Sequence, residues 1–231
     1  MRMYRLYIAN KNYSSWSLRA WALMTELGIP FEEQLLHFGR LAEWKAYRQL
    51  SPAGKVPCLQ DDGVLVWDTL AIAEYLAERH TGVWPADPLA RAWARSAAAE
   101  MHSGFEALRT RCSMSCGVRV RLNEHPPALE RDLERLAGLW GEGLRRFGGP
   151  FLAGAAFSAA DAFFAPVAFR VQSYGLPLDA TASAYMRRLL ELASMRRWYA
   201  EALAETFRDE PHEEEMLRMG VVTRDLRAAA L

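Results

Sequence analysis

Cysteine is scarce in this sequence, which contains only three in 231 residues. Three scattered thiols cannot supply a disulfide framework, so we expect none. Cys112 and Cys116 are four positions apart and have no set of His or Cys partners nearby, so no metal site is expected. We interpret both as small apolar or pocket-lining residues on a helix or at its end.

Excess charge and long apolar runs are also absent. The 28 basic and 28 acidic residues give a formal net charge of zero, whereas nucleic-acid binding needs an excess or a stripe of Lys and Arg. No apolar run approaches the roughly 20 residues that span a bilayer. Residues 1–10 lack the long apolar segment and cleavage site of a secretory signal. We therefore expect a cytoplasmic protein with neither a nucleic-acid nor a membrane partner.

What the sequence does contain is enough apolar material, 51% of its residues, for one large domain or two smaller ones. Alternation and helical spacing predict strands over 4–8 and 31–36 and helices over 16–27 and 41–49. Two short apolar runs, 57–60 and 64–67, then flank Asp61-Asp62-Gly63. An Asp-Gly turn between such runs predicts a β-hairpin, because glycine accepts the positive φ of tight turns.

The residues around this hairpin carry the chemistry. A proline that opens a strand suits an edge position or a cis peptide, and either would leave the backbone groups of Val56 free for a ligand. Asp68 and Thr69 precede an apolar series at helical spacing and are typical of a helix N-cap. The unpaired N–H groups of a helix start form a ready carboxylate site. An ordinary hairpin followed by a capped helix is the alternative interpretation.

The second part of the chain follows a Pro- and Gly-rich linker over 81–88 and is predicted to be entirely helical. Ser158 and Asp161 have the spacing of a capping box and are interpreted as structural. Pro166 should kink the helix that this box opens. The tail after Arg208 is expected to pack on the surface or to fray. The helices are expected over 89–111, from Pro126-Pro127 to Gly148-Gly149, from Ser158 onward, over 181–193 and over 195–206.

Both segments resemble the glutathione transferase family. Val-Pro, a hairpin and an acidic residue with Ser or Thr mark the glutathione-binding half of its members, and a Leu-x-Gly…Ser/Thr-x-x-Asp box like residues 152–161 marks the helical half. The resemblance implies a thioredoxin-like N-terminal domain (1–81) and an all-α substrate domain (89–231). Asp68 stands where the family usually has Glu, and it reaches one methylene less far.

The same resemblance implies how glutathione, the co-substrate, would bind. The backbone of Val56 would pair with its cysteinyl part, and Asp68 and Thr69 would hold its γ-glutamyl end. Lys55 matches a lysine that tau-like proteins direct toward the glycyl carboxylate, and Arg40 would help there. A solvated side chain is the alternative for both basic residues.

Residues 12–19, Asn-Tyr-Ser-Ser-Trp-Ser-Leu-Arg, resemble the Ser-Ser-Cys-Ser-x-Arg box of the zeta class and the Ser-Pro-Phe-Ser-x-Arg box of tau. Both alignments make Ser14 the catalytic hydroxyl that stabilises the thiolate, with Ser15 as a second donor. Tyr13 is an alternative donor, and Ser14 could instead be only a helix cap. Trp16 stands where zeta proteins have a cysteine, which argues against a zeta-type substrate.

An electrophilic small molecule would bind between the two domains. Met101, Phe105 and Arg109 share one face of a predicted helix and would form an apolar pocket with a cation at its rim; a core stripe is the alternative for the first two. The resemblance implies a homodimeric glutathione transferase. A cis–trans isomerase of the maleylacetoacetate type, with Arg109 or Arg170 facing the sulfur, and a non-catalytic adaptor are the alternative functions.

Overall fold

The computed structural model describes residues 3–230, except for the side chain of Leu50. The first half contains a four-stranded sheet in the order β2-β1-β3-β4, in which β1 and β2 are parallel and the other pairs antiparallel. In chain order its elements are β1 (Tyr4–Ala9), α1 (Ser15–Glu26), β2 (Phe31–Leu36), α2 (Leu41–Leu50), β3 (Cys58–Asp61), β4 (Val64–Trp67) and α3 (Thr69–Ala77). The predicted order of elements is confirmed.

The predicted hairpin is formed by β3 and β4, and Asp61 lies opposite Val64. The Val56–Pro57 peptide is cis, which is one of the two alternatives expected for a proline that opens a strand. The edge-strand alternative is wrong, because β3 lies between β1 and β4. Val56 therefore stands just outside an internal strand of the sheet.

The second half is a helical bundle with a small antiparallel ribbon. Its elements are α4 (Pro88–Ser103), α5 (Glu106–Arg111), β5 (Val118–Leu122), α6 (Pro127–Phe147), α7 (Ala159–Tyr174), α8 (Ala180–Glu191), α9 (Ala193–Ala204), α10 (Glu210–Met219) and β6 (Gly220–Asp225). The ribbon joins β5 to β6. Apolar side chains of both halves form one continuous core, with α7 packed against α1 and α4.

Two expectations for this half are wrong, and the tail takes the first of its two alternatives. The helix predicted over 89–111 breaks at Gly104 and Phe105, where Phe105 has a left-handed backbone with φ +55°. The half is not entirely helical, since it contains the strand β5, which pairs with β6 and has alternate residues buried. The tail does not fray: its residues form α10 and β6, which pack back on the body of the protein.

The predicted capping box opens the almost wholly buried helix α7. One oxygen of Asp161 accepts hydrogen bonds from the N–H and hydroxyl of Ser158, at 3.0 and 3.2 Å. The other accepts from the N–H of Leu152 at 3.0 Å and the hydroxyl of Tyr185 at 2.8 Å. Burial raises the pKa of Asp161, although all four bonds favour the charged form. The helix continues through Pro166.

Replacing Asp161 by Asn should destabilise the protein strongly, because the amide group would face donors that need an acceptor. We expect a loss of about 3 kcal/mol in the free energy of unfolding, against about 1 kcal/mol for Tyr185→Phe, which removes one bond. Urea unfolding of both variants at one pH measures the difference. Equal losses would show that the box is not what holds the start of α7.

Candidate functional site

Ser14 lies where β1 passes into α1. It occupies the N-cap position, but its hydroxyl makes no capping bond to the helix. The side chain is 5% exposed, and its Oγ donates to Oγ of Ser17 at 2.7 Å. The N–H of Ala9 donates to the same Ser17 oxygen at 3.1 Å. A hydroxyl free of capping can be redirected toward a ligand, so the interpretation of Ser14 as a helix cap alone is not supported.

Two adjoining cavities open beside Ser14. The larger, of about 570 Å³, contains Ser14 and Ser15. The smaller, of about 360 Å³, contains Asp68 and Thr69. Both volumes are in the range of small-molecule sites. The residues that line both cavities are Trp16, Lys55, Val56 and Arg109.

The smaller cavity is lined by one polar side chain that has partners and by two polar groups that have none. Asp68 is the N-cap of α3, has a positive φ of 75° and accepts the N–H of Leu70 at 2.8 Å. Its other oxygen lies 3.5 Å from Nε2 of His102. Among the described residues, the hydroxyl of Thr69, which is 2% exposed, has no hydrogen-bond partner, and no backbone–backbone hydrogen bond involves Val56. Buried polar groups are nearly always paired, so the Thr69 hydroxyl is positioned for a ligand, and the backbone of Val56 is free to pair with one.

The two basic residues predicted near this cavity differ in placement. Lys55 lines both cavities. The half-exposed guanidinium of Arg40 instead pairs with Glu43 at 3.1 Å and lies 5.5 Å from the ring centre of Phe207. Arg40 thus belongs to the N-terminal turn of α2 and lines neither cavity, whereas Lys55 is available to a ligand in either one.

The larger cavity has a cationic wall. Buried Arg170 donates to the carbonyl oxygens of Arg109, at 3.1 Å, and Cys112, and to the Ser15 hydroxyl at 3.3 Å. Burial lowers the pKa of Arg170 to about 10, so it stays charged at neutral pH. The Arg109 guanidinium donates to the carbonyls of His102 and Gly104, at 3.1 and 3.3 Å.

A third arginine lies behind Trp16. The guanidinium carbon of Arg19 is 4.1 Å from the centre of the Trp16 ring, and that of Arg109 is 5.2 Å from it. Two nitrogens of Arg19 have no partner in residues 3–230. Burial, followed by repulsion from Arg109 and Arg170, lowers the pKa of Arg19 to about 9. Three like charges so close together suit an anionic occupant of the cleft.

The C-terminal segment supplies residues that the sequence did not predict. His212 and Glu215 of α10 line the larger cavity together with Ser14. The Tyr13 hydroxyl donates to Glu213 at 2.7 Å and accepts from Arg227 at 3.2 Å. Burial and the bond to Glu213 raise the pKa of Tyr13. The Tyr13 hydroxyl is therefore committed to the C-terminal segment, and Ser14 is the better candidate for the donor.

Two of the predicted pocket residues lie elsewhere. Met101 is 1% exposed and belongs to the core. Phe105 packs edge-on against Phe164, with ring centres 6.4 Å apart. The prediction that they line the pocket is wrong, because the helix breaks between them and no longer presents one continuous face. Arg109, the third member of the set, does line both cavities.

The three cysteines are buried and free. Burial raises the pKa of Cys112 to about 12, so it is a poor nucleophile at neutral pH. Cys112 lies at the end of α5, in the position expected from the sequence. Within residues 3–230 no cluster of His, Cys, Asp or Glu is arranged to hold a metal, and no helix is both long and apolar enough to cross a bilayer.

The sequence is similar to those of known proteins. A family model described as glutathione S-transferase, N-terminal domain, matches residues 13–79. The glutathione S-transferase-like protein OpS6 of Beauveria bassiana is 31% identical over 175 residues, or 70% of this chain and 76% of that protein. A maleylacetoacetate isomerase of Pseudomonas aeruginosa is 27% identical over 216 residues, or 87% of this chain and 95% of that protein.

The fold also matches solved structures. A glutathione transferase homologue from Burkholderia gl BGR1, crystallised with bound glutathione, has a TM-score of 0.64 at 23% identity, and the match covers 87% of this chain and 98% of that one. This likeness confirms the predicted thioredoxin-like half followed by a helical half. It does not distinguish a zeta from a tau class.

Glu213→Ala should loosen the C-terminal segment, because it removes the acceptor of both Tyr13 and Arg227. Hydrogen bonds to a charged group contribute about 1.5–3 kcal/mol, so amide exchange over 209–225 should accelerate by about tenfold or more. Glu214→Ala is the matched control, since the Glu214 carboxylate is exposed and its one ion pair, with Arg218, is long at 3.8 Å. Equal protection in the two variants would contradict the role given to Glu213.

Proposed function

Since the chain belongs to the glutathione S-transferase family, we propose that it binds glutathione with the γ-glutamyl end in the smaller cavity and the thiol in the larger one, where Ser14 activates it. The γ-glutamyl carboxylate would lie on the start of α3, against Asp68 and Thr69. The unpaired hydroxyl of Thr69 and the free backbone of Val56 support this placement. Lys55 would pair with the glycyl carboxylate, while the geometry gives Arg40 at most a distant role.

The observation that carries the proposal is the hydroxyl of Ser14, buried at the edge of the cavity and not used to cap α1. A bound thiolate would accept this hydroxyl in place of Ser17, which exchanges a neutral hydrogen bond for a stronger, charge-assisted one. A free thiol has a pKa near 8.5. Lowering it by about two units needs roughly 2.7 kcal/mol of preference for the anion, within reach of one or two directed donors.

The surroundings of Ser14 favour the same anion. Ser15 stands next to it as a second donor and is held by Arg170. The N-terminus of α1 and the charges of Arg19 and Arg109 add positive potential. With the thiolate formed, its sulfur attacks an electrophilic carbon of a molecule in the larger cavity. The carbon–sulfur bond forms as the bond from that carbon to a leaving group breaks, or as a π bond to that carbon opens. A glutathione transferase is therefore the function that the geometry supports best.

Ser14→Ala should return the pKa of the bound glutathione thiol most of the way to its free value. Ultraviolet absorbance of the thiolate, titrated against pH at saturating glutathione, measures it. Tyr13→Phe is the matched control and should leave the midpoint within about 0.3 units, because the Tyr13 hydroxyl bonds to Glu213 instead. A depressed midpoint that survives in Ser14→Ala would move the assignment to Ser15. An unshifted thiol in the native protein would favour the adaptor.

A second candidate is the glutathione-dependent isomerase. Arg109 and Arg170 both line the cavity that contains Ser14, as recognition of a carboxylate substrate beside the sulfur requires. Reversible addition of the thiolate to a double bond would then permit rotation before glutathione leaves. The likeness to the Pseudomonas isomerase extends over most of both chains. Trp16 argues against the isomerase, because its bulky side chain narrows the edge of the pocket.

Arg109→Gln distinguishes the two candidates when a carboxylate-bearing enone is compared with its methyl ester. Loss of a charged hydrogen bond worth about 1.5–3 kcal/mol should lower kcat/KM for the acid by about 10- to 100-fold. The ester, which lacks the charge, should be affected less than about threefold. Parallel losses for acid and ester would argue that Arg109 only supports the fold.

Subunit state, location and domain limits follow from family likeness. We propose a cytoplasmic homodimer whose domains span residues 1–81 and 89–231, of which residues 1, 2 and 231 lie outside the described structure. Exposed apolar side chains on β4 and at the start of α4 support a subunit contact on that face. They are Val64, Trp67 and Leu89.

A further inference from the structure

We propose that His212, oriented by Asp209, is a general acid that protonates the substrate after the thiolate has added to a conjugated double bond. The proposal rests on the proposed function, because it requires a glutathione thiolate at Ser14. It adds a second catalytic group, contributed by the C-terminal segment, and it selects a class of electrophile. That class is α,β-unsaturated carbonyl compounds, whose addition products need a proton.

The first observation is the bond between the two side chains. Asp209 is buried at the N-cap of α10, and its Oδ2 lies 2.5 Å from Nδ1 of His212. An ionised carboxylate only accepts hydrogen bonds, so Nδ1 carries the hydrogen. The other nitrogen, Nε2, has no hydrogen-bond partner in the described chain. The pair is thus arranged so that one nitrogen is fixed and the other can exchange a proton with a ligand.

The second observation is the position of the imidazole. His212 lines the larger cavity together with Ser14 and Arg170. Its ring stacks on Tyr13 with ring centres 5.1 Å apart, and it lies 4.8 Å from the ring centre of Phe38. Tyr13 is the immediate neighbour of Ser14 in the chain. The two aromatic rings therefore hold the imidazole in the wall of the cavity that the electrophile would occupy.

The third observation is the charge of the groups that line this cavity. The basic groups are Arg48, Lys55, Arg109 and Arg170, and they favour an anionic substrate or the enolate that forms from it. Glu215 of α10 is an acidic group in the same lining. Of the neighbouring carboxylates, Asp209 pairs with His212 and Glu213 pairs with Arg227.

The atoms and electrons of this step balance with glutathione, the enone and solvent protons alone. The thiol proton passes to solvent when the thiolate forms at Ser14, and His212 takes up one proton from solvent at Nε2. The sulfur forms a bond to the β-carbon, the C=C π bond breaks, and its electron pair moves toward the carbonyl as an enolate. The imidazolium then returns the proton from Nε2 to the α-carbon. The product is glutathione added across the double bond, and both His212 and the thiolate site return to their first state.

Two electrophiles separate this role from a structural one. With 1-chloro-2,4-dinitrobenzene the thiolate displaces chloride, and the product needs no proton from the protein. With an enone the product does need one. His212→Phe keeps an aromatic ring between Tyr13 and Phe38 but cannot transfer a proton. General acid catalysis contributes about 10²–10⁴-fold, so the ratio of enone to chloroarene turnover should fall by about 100-fold.

Asp209→Asn tests the positioning residue by the same ratio of enone to chloroarene turnover, and it should lower that ratio by about tenfold or more because the amide can hold the wrong tautomer. A parallel fall with both electrophiles, or an unchanged ratio in His212→Phe, would overturn the proposal. Failure of the underlying function is distinguishable, since native protein would then lack a depressed thiol pKa and chloroarene turnover altogether.

Discussion

The loop that carries Ser14 is held in place from the far end of the chain, and the rest of the site depends on this anchorage. The carboxylate of Glu205 accepts the backbone N–H of Lys11 at 2.6 Å and the backbone and side-chain N–H groups of Asn12, both at 3.1 Å. The side-chain oxygen of Asn12 accepts the N–H of Gly117 at 3.2 Å. One short loop thus joins the end of α9 to the start of the ribbon.

This anchorage makes the site a product of both halves of the molecule. The Lys11 ammonium, buried between Trp21 and Trp198, pairs with Glu33 from the sheet and Glu201 from α9. The ammonium is buried while both carboxylates are partly exposed, and the cost of desolvating the ammonium limits what these pairs add to stability. These pairs join the loop to the sheet and to α9, and we infer that they hold the Ser14 hydroxyl at one position relative to the helical half.

The arginine wall has the opposite character. Burial, and then repulsion from Arg109 and Arg170, lowers the pKa of Arg19, and none of the three is in an ion pair with another described residue. A cluster of that kind lowers stability in the free protein and is relieved by an anion. Thiolate, enolate and carboxylate are all anions, so the same wall would serve binding and catalysis. Functional sites commonly contain residues that lower the stability of the folded protein in this way.

Local signals in the sequence predict much of the fold. Asp-Gly between two apolar runs, the strand-opening Pro57 and the Ser158–Asp161 spacing each specify geometry within a few residues, and all three are confirmed. The alternation Val118-Arg-Val-Arg-Leu122 also carried a strand signal, but its partner lies about 100 residues further on. Long-range pairing of that kind is decided by packing and not by local propensity.

The same distinction explains the candidate site. Ser14, Lys55, Val56 and Thr69 belong to local motifs, and the structure brings them around adjoining cavities. His212 and Glu215 enter the cavity only because α10 folds back across the Ser14 loop, which no local pattern indicates. Helical periodicity places Met101 and Phe105 on one pocket-lining face only if the helix continues through Gly104, and it does not. A glycine inside a predicted helix was the available signal that it did not.

The most direct test of the central claim is a crystal structure of the protein with bound glutathione. We expect the sulfur within about 3.5 Å of the Ser14 Oγ, a hydrogen-bonding distance for sulfur that allows for its larger radius. We also expect the γ-glutamyl carboxylate on the start of α3 at Thr69, and the Ser14–Ser17 bond replaced. A sulfur directed away from Ser14, or glutathione bound outside the two cavities, would contradict the account.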